Sequence, residues 1–141
     1  MKKALELEPY RILVVDDNTS DRMIAEAVLK TLGCRYVRSA PDGVAAISML
    51  ENAVSAKIPF DLALLDWQMP KSNGLKLLQN IRWNPALEKM PVIIMTANAE
   101  PLRVEGAIQN RVDEILVKPI TEALLAAKIA KVLLRREPIE G

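Results

Sequence analysis

Short apolar runs that stop abruptly at polar residues do most to restrict what this chain can fold into. Ile12–Val15 (ILVV) runs into Asp16-Asp17, Leu62–Leu65 (LALL) into Asp66, Val92–Met95 (VIIM) into Thr96, and Ile115–Val117 (ILV) into Lys118. The runs are continuous rather than alternating, which suits strands covered on both faces. Arg35–Ala40 (RYVRSA) is shorter in apolar residues and reads as an edge strand. Stretches of helical character separate these segments. Ile24, Ala27, Val28 and Leu32 share a helical spacing that Gly33 is placed to end, and VAAISMLENA follows the turn signal Pro41-Asp42-Gly43. Leu75, Leu78 and Ile81 mark a third helix, Glu100–Arg111 is polar and helix-compatible, and Leu125, Ile129, Val132 and Leu133 form a stripe behind a Thr121 cap. Five strands alternating with five helices predict an α/β fold of three layers around a parallel sheet.

The 141 residues suit a single core. Nineteen basic residues balance eighteen acidic ones, which argues against a nucleic-acid-binding module with a basic face. No apolar run approaches the roughly 20 residues of a membrane span, and MKKALELEPY lacks the pattern of a signal peptide. Cys34 is the single cysteine, so no internal disulfide can form and a cytoplasmic setting is expected. Histidine is absent, which removes Ser-His-Asp triads, Cys-His pairs and ordinary zinc sites. The remaining chemistry belongs to carboxylates, hydroxyls, amines, backbone groups and hard metal ions.

In an open parallel sheet the strand ends lie along one edge, where ligands bind. Asp16, Asp17, Asp66, Thr96 and Lys118 are therefore expected at a common rim. A single Asp after a strand is usually a turn or cap residue. Four strand ends closed by polar residues together are not explained that way. Two like charges ~4 Å apart repel by roughly 4 kcal/mol at an effective dielectric of about 20. One lysine cannot offset three carboxylates, so either a carboxylate stays protonated or a cation binds. Carboxylates and carbonyls without His or Cys suit a hard ion such as Mg²⁺.

The order of motifs ILVVDDN, LLDWQMPKSNG, VIIMTA and ILVKP resembles the receiver domain of two-component response regulators, over about Arg11 to Arg136. Asp66 to Thr96 is 30 positions and Thr96 to Lys118 is 22, spacings usual for that family. The resemblance implies a (βα)5 flavodoxin-like fold with strand order 2-1-3-4-5, the order for which the family itself serves as the standard example. It also implies roles. Asp66 would be the phosphoacceptor. Asp16, Asp17, Asp66 and the backbone carbonyl of Gln68 would hold Mg²⁺. Thr96 and Lys118 would contact phosphoryl oxygens, and Pro119 would follow a cis bond that aims the lysine. An Asp with an ordinary pKa of about 3.9 would already be ionised near neutrality. The histidine missing here would belong to a sensor histidine kinase or a histidine phosphotransfer protein.

The family usually carries Tyr or Phe three residues before the lysine, where this chain has Ile115. With Thr96, Ile115 marks the switch position, and the expectation is a readout without an aromatic rotamer. Another aromatic, such as Tyr36, taking that role on the same face would overturn the expectation. NAVSAKIPFD reads as a loop insertion, Trp67 as a flank of the site mouth, and Trp83 with its loop as an anchor or a partner surface. Gln68 and Asn98 are expected beside the path of water to the phosphoryl group. The resulting organisation is an N-terminal extension (1–10), a receiver domain (11–136) and a C-terminal tail (137–141). The expected function is a stand-alone receiver, not an enzyme. It would switch contacts with a downstream protein or relay phosphate, as a monomer or weak dimer with no DNA-binding domain and no membrane contact. The competing readings are a phosphorylation-independent adaptor on the same fold and a haloacid-dehalogenase-like phosphohydrolase. The latter needs D-x-D after its first strand, where this chain has D-D-N.

Overall fold

The computed structural model describes residues 6–69, 74–99 and 106–136. The elements run β1 (Arg11–Val15), α1 (Thr19–Thr31), β2 (Tyr36–Ala40), α2 (Gly43–Ser55), β3 (Leu62–Asp66), α3 (Gly74–Trp83), β4 (Val92–Thr96), β5 (Glu114–Val117) and α4 (Glu122–Arg136). The five strands pair in parallel in the order β2-β1-β3-β4-β5, which places the polar strand β2 at an edge.

Successive strand residues feed two cores. Leu13, Val15, Ala63, Leu65, Val92 and Ile94 pack with Leu50 of α2 and with Leu77, Leu78 and Ile81 of α3. Ile12, Val14, Leu62, Leu64, Ile93 and Met95 pack on the other face with Ala25 and Leu29 of α1 and with Leu125, Ile129, Val132 and Leu133 of α4. Burial on both sides is why these strands read as unbroken apolar runs. Leu7, within the stretch ahead of β1, is buried in the second core. Polar side chains set the helix starts. Asn18 Oδ1 accepts from Asp21 N at 2.9 Å, Asp42 Oδ1 from Ala45 N at 2.8 Å, and Thr121 Oγ1 from Leu124 N at 3.2 Å.

Three expectations need correction. In α1 the inward residues are Ala25 and Leu29, with Val28 and Leu32 flanking; Ile24 is 48% exposed and Ala27 is exposed. The helix carries two adjacent apolar arcs, and spacing alone does not choose between them. The stretch NAVSAKIPFD is not all loop: α2 continues to Ser55, Ala53 is buried in the helix, and Phe60 is buried just before β3. Of the segment Glu100–Arg111, residues 100–105 lie outside the described residues, and residues 106–111 form turns rather than helix. Gly106 (φ +98°) and Arg111 (φ +61°) adopt left-handed backbone, which interrupts a helix at both ends of this piece. Four helices are thus present among the described residues, and the tail 137–141 lies outside them.

Candidate functional site

Register brings the polar strand ends together. Val15 pairs with Leu65, Asp66 with Met95, and Thr96 with Val117, so Asp16, Asp66, Thr96 and Lys118 end neighbouring strands at one rim. Backbone bonds carry the ladder past the strand ends: Trp67 N donates to Met95 O at 3.0 Å, and Lys118 N donates to Thr96 O at 2.8 Å. Asp16, Asp66 and Thr96 are buried, whereas Asp17 and Gln68 are exposed. Carboxylate oxygens of Asp16, Asp17 and Asp66 all lie within 4.8 Å of one another. That donor set, oxygens alone with one exposed member, fits a hard divalent cation.

Each acid is held differently. Asp16 Oδ1 accepts from Asn18 N at 2.9 Å, and the Asp16 carbonyl accepts from Arg22 Nη1 at 2.8 Å. Asp66 Oδ1 accepts from Gln68 N at 3.2 Å. Thr96 Oγ1 donates to Asn98 O at 2.9 Å and accepts from Asn98 N at 3.2 Å, which fixes the hydroxyl over the β4 end. The Lys118–Pro119 bond is cis. Lys118 Nζ lies 3.0 Å from Asp16 Oδ2, 2.8 Å from Asp21 Oδ2 and 3.8 Å from Asp66 Oδ2.

Burial, reinforced by the Asp16 charge, pushes the Asp66 carboxyl up to about 7, against the opposing pull of Lys118 and the Gln68 amide. Burial and the Asp16 charge thus work against the ordinary, fully ionised Asp66 that the sequence leads one to expect. The lysine answers to two opposing effects. Burial lowers its pKa, but hydrogen bonds to Asp21 and Asp16 and the charges of Asp66 and Asp16 outweigh burial and leave it raised.

Asp21 is the residue missed by reading strand ends. It sits in the first turn of α1, where an acid already has a default explanation in the helix dipole. Trp67 is a second correction. It is buried in the core against α2 and α3 and does not flank the mouth. Carrying the strand period of two past Asp66 would have found it, since Ala63, Leu65, Trp67 and Met69 all belong to that core. Trp83 is 71% exposed and anchors nothing, whereas Leu87 and Met90 of its loop are buried. Ile115 is partly buried against the α2/α3 core. Tyr36 stands at the start of edge strand β2, with the Arg11 guanidinium 3.4 Å and that of Arg38 3.9 Å from its ring centre.

A family model described as response regulator receiver domain matches residues 12–130. The chemotaxis protein CheY-3 of Vibrio cholerae is 38% identical over 125 residues, covering 89% of this chain and 92% of that protein. The chemotaxis protein CheY of Pseudomonas aeruginosa is 35% identical, covering 89% and 97%. Among solved structures, the receiver domain of a Pseudomonas aeruginosa sensor histidine kinase, with a magnesium ion coordinated in the active site cleft, is similar at a TM-score of 0.77 and 29% identity, covering 88% of this chain and 97% of that one. CheY in a complex with CheX, BeF3 and magnesium from Borrelia burgdorferi shares the fold at a TM-score of 0.78 and 23% identity, covering 88% and 89%.

Proposed function

Because this chain belongs to the response regulator receiver domain family, we propose that Asp66 accepts a phosphoryl group from a histidine-bearing partner in a Mg²⁺-dependent reaction. Signalling proteins of this family are generally not classical enzymes, and the reaction proposed here is the chain's own modification. The observation that carries the reading is the convergence of Asp66, Asp16, Asp17 and Lys118 within one partly buried cluster.

A carboxylate oxygen of Asp66 forms the new bond to phosphorus as the bond from phosphorus to the donor nitrogen breaks. The electron pair stays on that nitrogen, and the donor imidazole takes up a proton from solvent. With acetyl phosphate as donor, the leaving group is acetate and no proton is needed. Asp16, Asp17, Asp66 and the Gln68 carbonyl are the residues that would hold Mg²⁺; the related sensor-kinase receiver carries magnesium in its active site cleft. Bound there, the ion supplies positive charge to the oxygens of the group in transfer. It also favours the ionised Asp66 that the attack requires. Thr96 and Lys118 would each meet a phosphoryl oxygen. Gln68 and Asn98, both exposed beside the site, would govern water access to the phosphoryl group. The modified chain would switch contacts with a downstream protein or pass the group on.

Intact-mass measurement after incubation with acetyl phosphate and Mg²⁺ tests the reading. Wild type gains the mass of one phosphoryl group and Asp66→Asn gains none. A wild type that stays unmodified would instead support the adaptor. Phosphate lifetimes unchanged in both Gln68→Ala and Asn98→Ala would remove those residues from the hydrolytic path.

A further inference from the structure

Lys118 is held more closely by Asp21 and Asp16 than by Asp66. Its ammonium has three protons, and carboxylate oxygens of Asp21 at 2.8 Å and Asp16 at 3.0 Å are within hydrogen-bond range, whereas Asp66 at 3.8 Å is not. Asp16 belongs to the proposed cation site, so its contact with the lysine is shared with another task. Asp21 touches neither the cation oxygens nor the acceptor in any contact above, yet it makes the shorter contact. A cleft of about 310 Å³, lined by Asp21, Ile24, Lys118, Pro119 and Ile120, opens beside the pair.

We propose that Asp21 is a positioning residue that draws Lys118 away from Asp66, so that the lysine reaches a phosphoryl oxygen less readily while Asp21 holds it. The inference rests on Asp66 being the phosphoacceptor. Two effects act in the same direction. Drawing the lysine toward the incoming group weakens a charge-assisted hydrogen bond to Asp21. Asp21 also adds a negative charge beside a site that receives an anionic donor, which lowers the local concentration of that donor. The chain is thus a slower acceptor than its Asp66, Thr96 and Lys118 would make it alone. Asp21 acts through Lys118 and forms no bond to phosphorus.

The test measures the rate of Asp66 phosphorylation of the full chain by acetyl phosphate with excess Mg²⁺, followed by intact mass, in low and high KCl. Asp21→Asn should react about three- to ten-fold faster than wild type in low salt, and the advantage should shrink in high salt as the lost charge is screened. Asp21→Glu, which restores the carboxylate, should return to within about two-fold of wild type. A purely structural role would move the melting temperature but not the salt dependence. If Asp21→Asn melts below the assay temperature, Asp21→Ser carries the same expectation. An Asp21→Asn rate equal to or below that of wild type in low salt overturns the inference, as does Asp21→Glu reacting as fast as Asp21→Asn. Wild type that takes up no phosphoryl group overturns the acceptor assignment and this inference with it, so the two failures are distinguishable.

Discussion

Asp66 joins two demands that oppose one another. In the proposed reaction it must be ionised, yet its burial and the neighbouring Asp16 raise its pKa to about 7. The folded chain therefore keeps a proton that the unfolded chain releases near pH 4. Between those values unfolding gives up a proton, so stability falls as pH rises, and the full penalty is present above the folded pKa. In Mg²⁺-free buffer, Asp66→Asn should match wild type at about pH 4 and be more stable at about pH 8 by roughly 2–4 kcal/mol, read by urea unfolding at both pH values. A constant difference across pH would show that the carboxyl is not held protonated. Ile115 raises a separate question at this scale. Tyr36 is not available as a substitute aromatic, because β2 and β5 are opposite edges of the sheet. Tyr36 is also occupied by Arg11 and Arg38. The proposed switch position at the β5 edge carries a branched side chain in place of a ring.

Among the elements, α3 is tied down by a buried arginine. Arg82 Nη1 donates to Met90 O at 2.7 Å and Glu88 O at 3.1 Å, while Nη2 donates to Arg111 O at 2.8 Å and Asp113 Oδ2 at 3.0 Å. Asp113 Oδ2 in turn accepts from Val92 N at 2.7 Å. One side chain thus joins the end of α3, the loop before β4 and the approach to β5. Arg82→Met should destabilise the fold by about 3–5 kcal/mol, since it removes the charge partner of the partly buried Asp113 and the donor to several carbonyls, and equilibrium denaturation would measure the loss. Gly74 opens α3 against Trp67: a Cβ there would lie 2.8 Å from Trp67 Cα and 2.9 Å from its ring. Gly74→Ala should therefore displace the backbone beside Asp66 and lower both the melting temperature and the phosphorylation rate. At this scale the sequence is legible where one element answers to one environment. β1, β3 and β4 meet apolar surroundings on both faces, so their lengths and ends can be read from composition. The single apolar stripe of α4 likewise points inward as expected. α1 is not legible, because Met23 and Ile24 compete with Ala25 and Leu29 for the inward face, and only the fit to the sheet decides. The Asp21–Lys118 contact is hidden for a related reason: it joins residues 97 positions apart on a helix and a strand end, with no local pattern to mark it.

For the whole molecule, the proposed cation site would link ligand binding to stability. Mg²⁺ that binds the folded chain and not the unfolded one adds about 2.7 kcal/mol at 100 times its dissociation constant, a shift of several degrees for a chain of this size. Asp16→Asn should lose most of that shift, and a chelator should reverse it in wild type; scanning calorimetry would show both. No described helix is long and apolar enough to cross a membrane. The extension of the backbone ladder beyond Asp66 and Thr96 has a consequence for how such a site can change over time. The amides of Trp67 and Lys118 donate to main-chain carbonyls within the sheet, whereas those of the exposed residues Gln68 and Asn98 donate to the side chains of Asp66 and Thr96. Deuterium exchange should be slowest at the first pair and markedly faster at the second. The acceptor is thereby fastened to the part of the molecule that opens least often. In the proposed reaction, change at the exposed positions Gln68 and Asn98 would tune how long the phosphoryl group persists while the strands that carry Asp66 stay fixed.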